Sequence, residues 1–111
     1  MMRYLIFDEI HASDMEKITK YLVQNAIASS MGDIFWIKVP ENLLNEIQCD
    51  HKGCAPFIIT VELDKNSIKF ELFVRSRRTL NCRCQGYSTR QQRDFIFNYA
   101  ENMLDTLGIH T

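Results

Sequence analysis

The residues of this chain best suited to metal or thiol chemistry are Cys49, Cys54, Cys82 and Cys84, with His51 standing between the first two. Thiolates and a neutral imidazole are the donors that tetrahedral zinc takes. The spacing is Cys-X4-Cys and then Cys-X-Cys, which differs from the paired Cys-X2-Cys of a zinc ribbon. The case for a single site therefore rests on topology. If the segments around Phe57–Leu63 and Ile68–Arg75 form a β-hairpin with Leu63 facing Ile68, the ladder puts Phe57 opposite Val74. Extended outward, it puts Cys54 near Arg77 and Cys49 near Cys82. Both cysteine pairs then leave from the open end of the hairpin. That convergence makes one structural zinc site chemically reasonable, with Cys49, Cys54, Cys82 and Cys84 as its thiolates and His51 as the alternative ligand. Two other states stay open: unliganded thiols with no cofactor, a common use of cysteine in a reducing compartment, and a disulfide or redox pair.

The same stretch is rich in arginine. Segment 72–93 holds Arg75, Arg77, Arg78, Arg83, Arg90 and Arg93, six of the thirteen Lys and Arg side chains, and none of the fourteen acids. A local excess of this kind attracts an anion, a nucleic acid or an acidic protein face. The helix start near Arg90 would add N–H donors, and Tyr87 would offer a ring for a base to stack on. Surface charge runs also serve merely to solvate a loop. The net charge of −1 argues against a generally basic nucleic-acid binder, so any such activity must come from this local patch.

Signatures of catalysis are missing. The four glycines, at 32, 53, 86 and 108, form no phosphate loop, and the chain has no His-Glu-X2-His and no nucleophile elbow. A Cys/His pair such as Cys82 or Cys84 with His51 is the remaining route to a thiol enzyme.

The elements that must carry these side chains follow from hydrophobic periodicity. Phe57–Leu63 and Ile68–Arg75 alternate strictly around a four-residue turn, Asp64–Ser67, which predicts a hairpin with Val61 and Phe70 facing inward and Thr60 outward. Ile58 and Phe73 break the polar outer face and mark a place for a helix or a partner to land. Ile34–Val39 reads as a further strand whose Trp36, the only tryptophan, covers an edge of the core. Residues 3–7 form an optional strand or an apolar arm.

Ser13 and Glu16 read as a capping box opening a helix through Met15, Ile18, Leu22, Ala26 and Ser29 that Gly32 ends. Pro40 begins a short helix with Leu43, Leu44 and Ile47 facing inward. Overlapping capping boxes at Ser88 and Thr89 open a final helix through Ile96, Tyr99, Ala100, Met103 and Leu107, closed by Gly108 with Ile109 folding back on Leu104. The prediction is a single α+β domain, 1–111. Its small, mainly antiparallel sheet is a central hairpin plus one or two further strands, covered by an N-terminal and a C-terminal helix.

The apolar run near the N-terminus is too short for a signal peptide or a membrane span, so a cytoplasmic protein without membrane contact is expected. The expected function is a small interaction module that recognises a protein partner through loop 75–93. The alternatives are a nucleic-acid or phosphate binder using the arginines and, third, the thiol enzyme.

Overall fold

The computed structural model describes residues 2–110. Its elements are β1 (Tyr4–Phe7), α1 (Ala12–Asn25), β2 (Ile27–Ala28), β3 (Ile34–Lys38), α2 (Glu46–Asp50), β4 (Phe57–Leu63), β5 (Ile68–Glu71), β6 (Phe73–Ser76), β7 (Gly86–Tyr87) and α3 (Arg90–Leu107). Short 3₁₀ turns at Glu41–Leu43 and Lys52–Cys54 flank α2. The architecture is α+β, as the alternation pattern implies, with a seven-stranded sheet ordered β1-β5-β4-β3-β2 and with β6 and β7 attached beside β4. Every strand pair is antiparallel. The optional strand forms as β1 on β5, and the sheet exceeds the one or two strands expected beyond the hairpin because the second hairpin strand is split into β5 and β6 while Ile27–Ala28 and Gly86–Tyr87 add two short edges.

The inward residues of β3, β4, β5 and β6, among them Phe35, Ile59, Val61, Phe70 and Val74, share one buried cluster with Met15, Ile18 and Leu22 of α1 and Ile96, Ala100, Met103 and Leu104 of α3. Both long helices therefore lie on one face of the sheet. The 3.6-residue spacing of their apolar stripes matches the face each buries.

The α3 ends are as the sequence indicates. Thr89 and Gln92 form the capping box, Gly108 takes the left-handed conformation at φ 69°, and the Ile109 N–H donates to Leu104 O at 2.9 Å. The start of α1 differs. The His11 carbonyl accepts from the N–H groups of Asp14 and Met15, so the helix begins two residues before the predicted box, with His11 in place of Ser13 as N-cap, and no side chain caps it. Its end differs as well: the chain leaves the helix after Asn25 because Ile27 and Ala28 pair with Trp36 and Phe35, well before Gly32. In α2, Ile47 is exposed rather than inward, and the buried position goes to Gln48.

The hairpin starts in the predicted register, Leu63 opposite Ile68, and then slips. Phe57 pairs with Ser76, not with Val74. Between β5 and β6 the backbone of Leu72 leaves the ladder: its N–H donates to Arg3 O at 2.8 Å and its carbonyl accepts from Ser88 N–H at 3.1 Å. These outside partners satisfy the bulge, as buried backbone requires. A shift of two residues keeps the side-chain parity, so Val74 stays inward while Phe73 and Arg75 stay outward.

Candidate metal centre

His51, Cys54, Cys82 and Cys84 converge at the open end of the hairpin, one ligand atom from each lying within 4.8 Å of all the others. Local structure explains both halves. Lys52–Cys54 is a 3₁₀ turn, closed by Cys54 N–H donating to His51 O at 2.9 Å. Positions three apart on such a turn project together, which presents the imidazole and the Cys54 thiol to one side. Opposite them, the Cys84 N–H points to Cys82 Sγ at 3.5 Å, holding that thiol against the turn of Cys82–Gln85. His51 Nδ1 lies 3.1 Å from Cys82 Sγ.

The shelf beneath the cluster is polar and buried. Gln48 and Gln92 are 1% and 0% exposed. The Gln92 amide donates to Leu43 O at 2.9 Å and to Gln48 Oε1 at 3.0 Å, and the Gln48 amide donates to Cys84 O at 3.1 Å. Gln48 Oε1 also accepts from Asn45 N–H, closing the cap of α2. The helix that precedes His51 is thereby tied both to α3 and to the backbone of a cysteine in the cluster.

Two side chains pin the loop on its far side. Ser76 Oγ donates to Cys54 O and accepts from the N–H groups of Arg78 and Thr79. Gln85 accepts from Ser76 N–H at 2.9 Å and donates to Leu80 O at 3.1 Å. The sequence marks Gln92 only as the capping-box partner of Thr89 and gives no sign of Ser76 or Gln85; for Gln48 the local signal is the Asn45/Gln48 box, an Asx residue three before a glutamine.

The thiols differ in acidity. The Cys82 thiol is drawn down to about 6, first by the hydrogen bond from the Cys84 thiol, then by the Cys84 N–H, His51 and Cys54. Burial pushes the Cys84 thiol up to about 12, aided by its neighbours Cys82 and Cys54. The pair thus holds one proton, kept on Cys84, and one thiolate, on Cys82. A tetrahedral zinc with bonds of about 2.0–2.3 Å sets its ligand atoms about 3.5–3.8 Å apart. Shifts of about 1 Å or less reach that geometry, the 3.1 Å His51–Cys82 separation opening slightly and the wider ones closing, and three cysteines with one histidine are a structural zinc donor set.

Cys49 stands apart from this group. It is exposed on α2, its thiol directed at Leu44 O at 3.7 Å, and all four cysteines are free of disulfides. The reason is the slip in the hairpin: a shift of two moves the counterpart of Cys82 from position 49 to position 51.

The arginines separate. Arg75 makes a two-pronged ion pair with Glu71, at 2.7 and 3.1 Å, which raises its own pKa, and it lies over the Phe73 ring. Arg77 lies over the Trp36 ring at 4.5 Å. Arg93 donates to Ser88 O, and the Thr89/Gln92 capping box takes two of the N–H groups at the start of α3, where Arg90 is exposed. Arg78 and Arg83 are exposed on the loop, and Tyr87 lies on β7 with its ring 5.6 Å from Phe73. Trp36 is on the outer face of the sheet rather than at an edge of the core. Ile58, also outward, is nonetheless 2% exposed and outside the core cluster. Arg77 follows β6 opposite Pro56 and Trp36 pairs with Thr60, so the stacked pair spans β4 above Ile58 and covers it.

Among the described residues no helix is long and apolar enough to cross a membrane. Comparison with known proteins gives no match to a family model, to a curated protein or to a solved structure.

Proposed function

We propose that this protein is a small binding module in which one zinc ion, held by His51, Cys54, Cys82 and Cys84, fixes loop 77–85 as the recognition surface for a protein partner. The carrying observation is the convergence of four ligand atoms within 4.8 Å, from two segments that the rest of the fold brings together. The metal's role is structural: with four protein ligands zinc keeps no open position for substrate. Its binding free energy orders a stretch that has little apolar packing of its own.

The loop carries what a protein interface uses, an apolar centre in a polar rim. Leu80 is 90% exposed at its tip and Arg78 and Arg83 are exposed beside it. A partner of matching shape offers an apolar recess edged by acids. Free thiols used as metal ligands suit a reducing compartment such as the cytoplasm.

The test begins with elemental analysis of desalted protein, where about one zinc per chain is expected. Chelation then increases hydrogen exchange in loop 77–85, and a partner captured on immobilised protein is lost both on chelation and on the combined changes Arg78→Ser, Leu80→Ser and Arg83→Ser. Metal-free protein with four titratable thiols and a melting curve indifferent to chelator sinks the zinc. A partner retained by the triple variant moves the interface elsewhere.

A further inference from the structure

The sheet has a second face. Both long helices pack on the inward side, and the outward side carries aromatic rings, each with a cation laid on it. Arg77 lies over Trp36 at 4.5 Å, Arg75 over Phe73 at 4.8 Å and Arg3 over Tyr87 at 4.3 Å. On the neighbouring strand Lys69 lies over Tyr4 at 4.9 Å. The Phe73 and Tyr87 rings meet edge to face at 5.6 Å, so the stacks run on from one strand to the next.

Charge on this face is unbalanced in a chain that is −1 as a whole. Its acids are Glu62 and Glu71, and Glu71 is already held by Arg75 through both oxygens. Among the described residues Arg3, Lys69 and Arg77 form no ion pair. An arginine held over a ring through its guanidinium carbon still has N–H donors to offer a phosphate, and a guanidinium plane can itself receive a further stacking partner.

We infer that this outward face binds single-stranded nucleic acid, with backbone phosphates on Arg3, Lys69 and Arg77 and bases stacked on the ring–guanidinium pairs. The occupant follows from the combination. An acidic peptide answers the charge but not the repeated flat stacks, and a duplex hides the base faces that such stacks receive. Single strands offer both, and sequence-tolerant binding by a cationic groove with stacking platforms is their usual mode of recognition. This surface is separate from the tip of loop 77–85, so its partner is additional to the one the zinc-fixed loop would dock.

The experiment uses the intact chain and a fluorescein-labelled oligouridylate or oligothymidylate of about ten nucleotides, a length suited to one small domain. Binding by anisotropy, with quenching of the single tryptophan, Trp36, is expected. With three phosphate contacts, affinity falls about twentyfold between about 50 and 200 mM salt. Arg3→Gln with Lys69→Gln, two changes outside the core, costs about tenfold, and adding Arg77→Gln costs more. Arg78→Ser with Arg83→Ser leaves the affinity within about twofold.

Absence of binding at the lower salt overturns the inference. So does equal or tighter binding of a duplex, or polyglutamate competing as well as the oligonucleotide, which would mark an acidic-polymer surface. Affinity lost with the loop variant and kept in the sheet variant would assign the oligonucleotide to the loop instead. None of these outcomes alters the zinc content or the Leu80 result, so the two readings fail separately.

Discussion

His51 Nδ1 stands 3.1 Å from Cys82 Sγ across thirty-one residues of chain, a contact made by a 3₁₀ turn on one side and the end of a slipped hairpin on the other. With Cys82 as thiolate, the imidazole N–H is its donor, and a zinc ion takes the place of that proton. His51→Ala should therefore weaken zinc binding by at least about a hundredfold, since loss even of an outer partner costs about 10–100-fold. Cys49→Ser should leave it unchanged. Titration against a chromophoric chelator measures both, and a zinc affinity that depends on Cys49 and not on His51 would restore the unslipped register.

Thiol reactivity in metal-free protein gives an independent reading. Cys82, at about 6, is largely thiolate at neutral pH, whereas Cys84 at about 12 is not. Iodoacetamide at pH 7 should label Cys82 well before the buried Cys84. Labelling should slow as pH falls through about 6, and zinc should suppress it. Peptide mass mapping over a pH series checks this.

The Gln48–Gln92 pair is buried and Gln92 uses its carbonyl and both amide hydrogens, so Gln92→Ala removes a capping interaction and leaves Leu43 O and Gln48 Oε1 each one donor short. The expected loss is about 2–4 kcal/mol in urea unfolding. A change under about 0.5 kcal/mol would mean that water replaces the amide at no cost.

Tyr99 is the opposite case. Its Oη is buried and has no hydrogen-bond partner among the described residues, so Tyr99→Phe should hold or raise stability, by up to roughly 1 kcal/mol. Burial, with Tyr21 nearby, lifts this phenol to about 12 in the folded chain from the ordinary 10. Between those values the unfolded chain has lost the proton and the folded chain retains it, so stability falls as pH rises through the window. The Phe variant should lack that component of the alkaline slope, as chemical denaturation at pH 9 to 11.5 would reveal by comparison with the native chain.

The two sides of the hairpin give the last prediction. Val61→Asp or Phe70→Asp places an unpaired charge among 0% exposed residues and should unfold the protein, while Thr60→Asp, outward on the sheet, should cost under about 1 kcal/mol. Arg77→Ser uncovers Ile58 and should cost about 1 kcal/mol, whereas Arg78→Ser and Arg83→Ser should be neutral within about 0.5 kcal/mol. Thermal melts followed by circular dichroism suffice, and equal cost for all three arginines would mean that the Trp36 stack contributes nothing.

Local pattern settled the two long helices and the central strands of this fold, though not the bounds of α1 or the short edges β2 and β7. Strict alternation in Phe57–Leu63 and Ile68–Phe70 is enough to assign strands and their inward faces, and the Thr89/Gln92 box with Gly108 bounds the final helix, because each signal is complete within a few residues of chain. The presence of thiols at the open end of the hairpin was also legible. What the sequence could not decide was the register past Glu71, since the bulge is held by partners far away, Arg3 and Ser88, and a two-residue slip preserves the inward and outward pattern that periodicity reads. Tertiary structure alone therefore chose His51 over Cys49, set Arg77 on Trp36, and buried two glutamines beneath the cluster. A hydrogen-bonding side chain is buried only where its partners meet it, and those partners come together only in the folded chain.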